Sequence, residues 1–276
     1  MDETISYIGL LADEEIELDT AALALSALDH EGADLKPYIE RLREISEEVL
    51  AEKARASDEE LESGQSQGAL LARVIGTQIG FTGDSATYDA PLNADMIRVL
   101  DRKRGLPVSL AILYVAAARR AGWTAYALNT PGHVLVRIGE GGLASLIDPF
   151  NRGAPITPEQ IGALIARALG PAALADDSQI MPMSNRMTLV RLLLNQASRA
   201  EQGGDTDRAR IIYGRMTTIA PEHGAGWWEL ARLQLMHREV DAARASLSAM
   251  LEITRDPERR RHISAALAKI SGRMSS

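Results

Sequence analysis

The chain has 276 residues, 46% of them hydrophobic and only 4% aromatic, and its formal charge at pH 7 is −8. That length suits one large domain or a medium domain joined to a smaller one, and an acidic, aromatic-poor composition lacks both the cationic footprint and the stacking platforms of a nucleic-acid binder. Cysteine is absent, which removes disulfides, thiolate metal sites and thiol nucleophiles together.

The opening stretch MDETISYIGLLADEEIELD is acidic with no long apolar core, so it does not read as a secretory signal. The longest apolar run, Val108–Ala118, is too short to span a bilayer. A cytoplasmic protein without membrane insertion is the expectation. From Leu18 to Ala54 apolar residues recur at helical spacing, with Asp19 expected as an N-cap, Gly32 as a break, and a further helix starting near Leu35–Pro37. Residues 57–83 continue as helix and then loosen into a Gly- and Asp-rich stretch that runs to Asn93 and contains Tyr88 and Pro91.

Met96–Leu100 reads as a short helix ahead of DRKR, Asp101–Arg104, which is expected to be a solvated helix end; the alternative is a docking patch for a carboxylate. VSLAILYVAAARRAG has the composition of a buried helix closed by Gly122. TAYALN, HVLVRIG and LASLIDPF then read as three strands, the last ended by Pro149. Helices followed by consecutive strands predict an α+β fold with a small antiparallel sheet. After a helix over Thr157–Gly170, residues 171–187 have linker composition and everything beyond is helical.

Shifting the C-terminal sequence by thirty-four residues lays GDTDRARIIYGRM over REVDAARASLSAM. Asp207 then meets Asp241, Ala209 meets Ala243, Tyr213 meets Leu247 and Met216 meets Met250. Thirty-four residues is the tetratricopeptide period. The register puts Leu193 and Trp227 at the large position of each first helix, Ala197 and Ala231 at its small position, and Pro221 after a second helix. Such units cannot close a core alone, so a last helix near Glu258–Ile270 is expected to cap one end of the array and the N-terminal domain the other. Trp227 and Trp228 read as packing residues of a repeat helix.

His133 follows a Pro131–Gly132 turn and runs into a strand, and Asp148 closes the next one. A His/Asp pair delivered on strands calls for a nucleophile at the start of a buried helix, where unpaired N–H groups and the dipole stabilise an anion. Ser109 lies in the first turn of the helix that begins GLPVSLAILY. Its hydroxyl reads as that nucleophile, as a group that satisfies the helix start, or as a ligand-binding group without chemistry. Asp148 reads either as the orienter of His133 or as a turn residue bonding nearby amides. The chain order excludes an α/β-hydrolase, and no G-x-S-x-G elbow is present. Asn129 and Arg137 are candidate ligand-binding residues, Arg137 lying four positions past His133 and so on the same strand face. The remaining histidines, at 30, 223, 237 and 262, have no ligand spacing, so no metal and no cofactor are expected.

The blocks VLDRKRGLPVSLAILYVAAARRAGW, TPGHVLVRI and IDPFNRG, with a helical preface and a repeat tail, resemble the SirB-type bacterial transglutaminase-like family. The resemblance implies a transglutaminase-like, papain-like domain over 1–170 and tetratricopeptide-type repeats over 188–276, separated by a 171–187 linker. It also implies a catalytic set in which the superfamily's cysteine falls on Ser109, its histidine on His133 and its aspartate on Asp148. The serine is the departure, because a thiol is readily held as thiolate whereas a hydroxyl must give its proton to a base during attack. DSATYDAPLNADM, residues 84–96, matches the family only loosely.

Two functions follow. The first is an interaction or scaffold protein that lacks the catalytic cysteine and uses its repeats to bind a protein or peptide partner. The second is a serine-dependent hydrolase or acyltransferase acting on a peptide or protein amide or ester through Ser109, His133 and Asp148. The oligomeric state is left open by the sequence.

Overall fold

One helix, α6 (Pro107–Arg120), is buried from Pro107 through Ala118 on every side, as a helix with apolar residues all round must be. In the computed structural model, which describes residues 3–170 and 180–272, this helix is the centre of a compact unit spanning Ala12–Leu192. Around it pack α2 (Leu18–Ala27), α3 (Lys36–Lys53) and the strands β3 (Ala125–Thr130) and β4 (His133–Ile138).

Apart from a short parallel pair, β1 (Thr82–Gly83) with β2 (Arg104–Gly105), the strands form one sheet that adds β5 (Ser145–Asp148), β6 (Ala154–Pro155) and β7 (Met181–Pro182) in the order β6-β5-β4-β3-β7, every pair antiparallel. Cross-strand partners share a face, so Leu128 and Leu135 point together, and Ile161 and Ile165 of α7 (Pro158–Leu169) cover them. Val134, Val136 and Ile138 alternate with that set and are buried too. The second face is therefore covered as well, and α6 packs against both β3 and β4. A capping box fixes the start of α7: Thr157 accepts from the Gln160 amide and Gln160 accepts from the Thr157 amide.

Several boundaries differ from the sequence expectation. Asp19 lies inside the first turn of α2 rather than capping it, and its carboxylate receives both Arg120 amino groups at 2.6 and 2.8 Å. The carboxylate also accepts the adjacent Thr20 amide at 2.9 Å, and the bidentate guanidinium fixes it toward α6 rather than over the helix start. Residues 57–83 are not one helix: α4 (Gly64–Leu71) runs into a π-helical stretch, Ala72–Ile79, ended by Gly80 at φ 93°.

The expected 171–187 linker is only partly linker-like in its described portion, and 171–179 lie outside the described residues. Met181 and Pro182 extend the sheet on β3, and α8 (Asn185–Gln202) starts within the expected linker. Its start is held by Asp13, whose carboxylate accepts from the amides of Asn185 and Arg186 at 2.9 Å each.

The second unit joins the segment up to Leu11 with the chain from Leu193 onward. Its helices are α1 (Glu3–Leu10), the end of α8, α9 (Thr206–Ile219), α10 (Gly224–Met236), α11 (Val240–Ile253) and α12 (Pro257–Gly272). Both bounds of α11 lie thirty-four residues beyond those of α9. The equivalence extends to side chains: Asp207 pairs with Arg210 and Asp241 with Arg244, each three residues on, and Ala209 and Ala243 are fully buried. Ala197 and Ala231 are buried as well, whereas Trp227 is only half-buried and donates from its indole to the Pro221 carbonyl at 2.7 Å. The N-terminal helix α1, expected in the first domain, packs on α9 instead, with Ile5 and Ile8 buried and Gly9 so close to the Thr218 carbonyl that a Cβ would collide with it.

Candidate functional site

The β3–β4 hairpin closes through Pro131 and Gly132, with Gly132 at φ 70° as the third position of a type II turn requires. His133 is the first residue out of that turn, paired with Thr130 and 7% exposed. Asp148 ends β5 two strands along the sheet from β3. The two meet: His133 Nε2 lies 2.9 Å from Asp148 Oδ1. The same carboxylate accepts the Phe150 amide at 2.9 Å and the Asn151 side-chain amide at 2.6 Å. The one carboxylate thus bonds both the imidazole and the turn that follows it.

A carboxylate oxygen accepts, so the imidazole donates to Asp148 from Nε2, and in that tautomer Nδ1 is the acceptor. The Phe150 ring stands edge-on to the imidazole with centroids 5.9 Å apart. Two glycines let the Asp148 turn dock: a Cβ on Gly76 would collide with the Arg152 carbonyl, and one on Gly83 with the Phe150 ring. The π-helical stretch therefore serves as the bed of this turn.

Ser109 is fully buried, and its hydroxyl donates to the main-chain carbonyl of Asn93 at 2.7 Å. The same carbonyl accepts the Leu106 amide at 3.0 Å. Asn93 is itself anchored, donating to the Thr87 carbonyl at 2.6 Å and accepting from Arg102 at 2.9 Å. Arg102 also reaches Asp84 at 2.6 Å, and Asp84 accepts the hydroxyl and amide of Thr87. The Thr87 hydroxyl and amide, joined by the Arg102 guanidinium, hold the Asp84 carboxyl well below the usual carboxylate range.

The structure thus brings His133 and Asp148 together and directs the Ser109 hydroxyl to backbone. Asn129 is exposed and pairs with Val134, so alternation turns it to the face opposite His133. Arg137 shares His133's face by the same alternation and is half-buried opposite Tyr126. The DRKR run is not simply a solvated helix end. Arg102 is a structural tie between Asp84 and Asn93, and Lys103 at φ 54° ends α5 (Met96–Arg102).

Sequence reasoning passed over two polar atoms beside this site. The Thr130 hydroxyl, on the residue facing His133, is buried without a hydrogen-bond partner, and so is the Tyr114 hydroxyl on α6. Burial, with the nearby Asp148 charge, pushes the Tyr114 phenol up and keeps it neutral. The spacing of Asp84 and Thr87 was the signal for the Asn93 anchor, since an Asp followed three residues on by a donor marks a local turn. Among the described residues no three His, Asp or Glu side chains converge as metal ligands, and no helix is long and apolar enough to cross a membrane.

A helix-centred unit with a small antiparallel sheet, followed by helical repeats, is the arrangement of a transglutaminase-like domain joined to tetratricopeptide repeats. Residues 36–194 match the Transglutaminase-like superfamily and residues 200–270 match the Tetratricopeptide repeat. The first match covers more than half of the chain, and the chain belongs to the Transglutaminase-like superfamily. It is similar over most of its length to two bacterial proteins. A UPF0162 protein of Xylella fastidiosa (strain 9a5c) is 29% identical over 89% of this chain and 87% of the relative. The UPF0162 protein PA3419 of Pseudomonas aeruginosa is 28% identical over 98% of this chain and 97% of the relative. F-box only protein 21 of Mus musculus is 31% identical over 34% of this chain and 16% of its own length.

Proposed function

We propose that this chain is an interaction or scaffold protein of the SirB-type group, in which the transglutaminase-like domain performs no serine chemistry and the repeats bind a protein or peptide partner. The observation that carries this reading is the commitment of the Ser109 hydroxyl to the Asn93 carbonyl, in a fully buried position. A serine nucleophile needs its proton within reach of a base and its oxygen open to a carbonyl carbon. A hydroxyl whose proton lies on a main-chain carbonyl meets neither condition in that rotamer. The repeats support the binding half of the reading, since helical-hairpin arrays present extended surfaces to peptides. The three motif blocks support the placement in the SirB-type group.

A second reading has its own support. The His133–Asp148 pair, with Nδ1 left as an acceptor, is the base half of a Ser/His/Asp hydrolase or acyltransferase acting on a peptide or protein amide or ester. Intact-mass analysis after exposure to a fluorophosphonate separates the two. The interaction reading expects no adduct on the wild-type chain. An adduct on the wild type that disappears in both Ser109→Ala and His133→Ala establishes the hydrolase.

A further inference from the structure

Within the repeat unit, the start of α10, the end of α11 and the first turns of α12 enclose a groove of about 820 Å³. Its lining is apolar at Trp228, Met250, Ile253 and Ile263. The indole of Trp228 is backed by His262, with ring centroids 5.0 Å apart and planes tilted by 36°. A half-buried tryptophan braced in this way is a rigid anchor that costs little entropy to bind against.

One wall of the groove, residues 255–261, is basic, with Arg255, Arg259, Arg260 and Arg261 against Asp256 and Glu258, while Glu222 and Glu229 lie on the other side. Arg255 and Arg259 line it, are exposed, and have no carboxylate partner among the described residues. Next to them Arg260 donates to the carbonyls of Leu251 and Thr254 at 2.6 and 2.8 Å, neutral acceptors that leave its charge unbalanced. Two of the four carboxylates that line the groove face arginines of their own. Glu229 is held by Arg232, Asp256 accepts the Arg259 amide and caps α12, and Glu258 faces Arg261. Asp256, which holds only a neutral amide, and Glu222 on the opposite side have no cationic partner among the described residues. A cluster of unbalanced guanidinium groups beside an apolar cleft, on a chain of net charge −8, is a local reversal of the overall field.

We propose that this groove docks an acidic peptide segment of a partner protein, its carboxylates on Arg255 and Arg259 and one apolar side chain against Trp228. The proposal rests on the interaction reading above and names the partner's chemistry. Concavity and an apolar floor fit an inserted side chain, and arginine forks fit carboxylates two at a time.

The test uses the full chain. A phage-displayed library of random twelve-residue peptides is selected on it at near-physiological salt, and the most enriched peptide is synthesised with a fluorophore for anisotropy titration. The expected outcome is enrichment of sequences in which Asp or Glu flank a large apolar residue. Affinity for the synthesised peptide is expected to fall about tenfold in the double variant Arg255→Glu, Arg259→Glu. Both arginines are exposed, so the double variant keeps its fold, which circular dichroism checks. No enrichment of acidic sequences, or an affinity unchanged in the double variant, overturns the proposal. Peptides that bind wild type and double variant equally remove this groove while leaving the interaction reading in place. That reading falls separately, on a fluorophosphonate adduct at Ser109.

Discussion

Ser109 and Asn93 are joined by a 2.7 Å hydrogen bond from hydroxyl to main-chain carbonyl, across sixteen residues of sequence. The bond ties the first turn of the central helix to the irregular segment that precedes α5. Removing the hydroxyl leaves that carbonyl its second donor, the Leu106 amide, so no acceptor is orphaned. Ser109→Ala is therefore expected to cost about 1 kcal/mol in urea unfolding, with partner binding unchanged. A loss several times larger would mean that the hydroxyl holds more than one helix start.

Asp148 carries a heavier structural duty. Its carboxylate, 4% exposed, serves the imidazole of His133, the Phe150 amide and the Asn151 side chain. Asp148→Ala strands the buried His133 donor and the half-buried Phe150 amide, frees the exposed Asn151 side chain, and is expected to destabilise the chain by about 3 kcal/mol. His133→Ala, which removes one donor and leaves the turn capped, is expected to cost clearly less. Equal losses in the two variants would show that the imidazole, not the turn, is what the carboxylate supports.

The anchor of Asn93 titrates at low pH. Asp84 has its folded pKa depressed by the Thr87 hydroxyl and amide and by Arg102, so its contribution is fully present above the unfolded carboxylate value. It is lost as pH falls from about 4 toward the depressed folded value. Asp84→Asn is expected to lower stability at pH 7 by about 2 kcal/mol. The difference between wild type and variant should shrink steadily below about pH 4. A difference that stays constant down to pH 2 would show that the charge of Asp84 contributes nothing.

Gly76 sits where the π-helical stretch meets the turn after Asp148, with no room for a Cβ against the Arg152 carbonyl. Backbone cannot give way as a side chain does. Gly76→Ala is expected to cost about 2–3 kcal/mol and to loosen the His133–Asp148 pair, read as a shift in the His133 imidazole resonances by NMR. An unshifted imidazole alongside the lost stability would uncouple the turn from the pair.

How far the fold can be read from the sequence depends on the range of the forces involved. The thirty-four-residue period emerges in the bounds of α9 and α11 because every repeat solves the same local packing problem with the same spacing. The antiparallel sheet follows from strand alternation and the Pro131–Gly132 turn. Asp19 was misread as a cap because its partner, Arg120, lies 101 residues away on another helix, and no local pattern announces that. The docking of α1 on α9 and the extension of the sheet by Met181–Pro182 are likewise long-range events. At the candidate site, the motif blocks and their resemblance single out Ser109, His133 and Asp148, and of these the structure joins His133 and Asp148. The direction of the Ser109 hydroxyl was not legible, since its acceptor is a backbone carbonyl in the aperiodic stretch between Asp84 and Met96.

The central claim is that position 109 is sealed and serves structure. Because the chain has no cysteine, Ser109→Cys creates a single thiol there, and its alkylation rate by iodoacetamide in the folded chain reads accessibility and activation together. A thiol that is buried and bonded to a carbonyl is expected to react on the order of a hundredfold more slowly than free cysteine, and only through local opening. A rate above that of free cysteine, lost on His133→Ala, would reveal an open thiolate–imidazolium site and contradict the account.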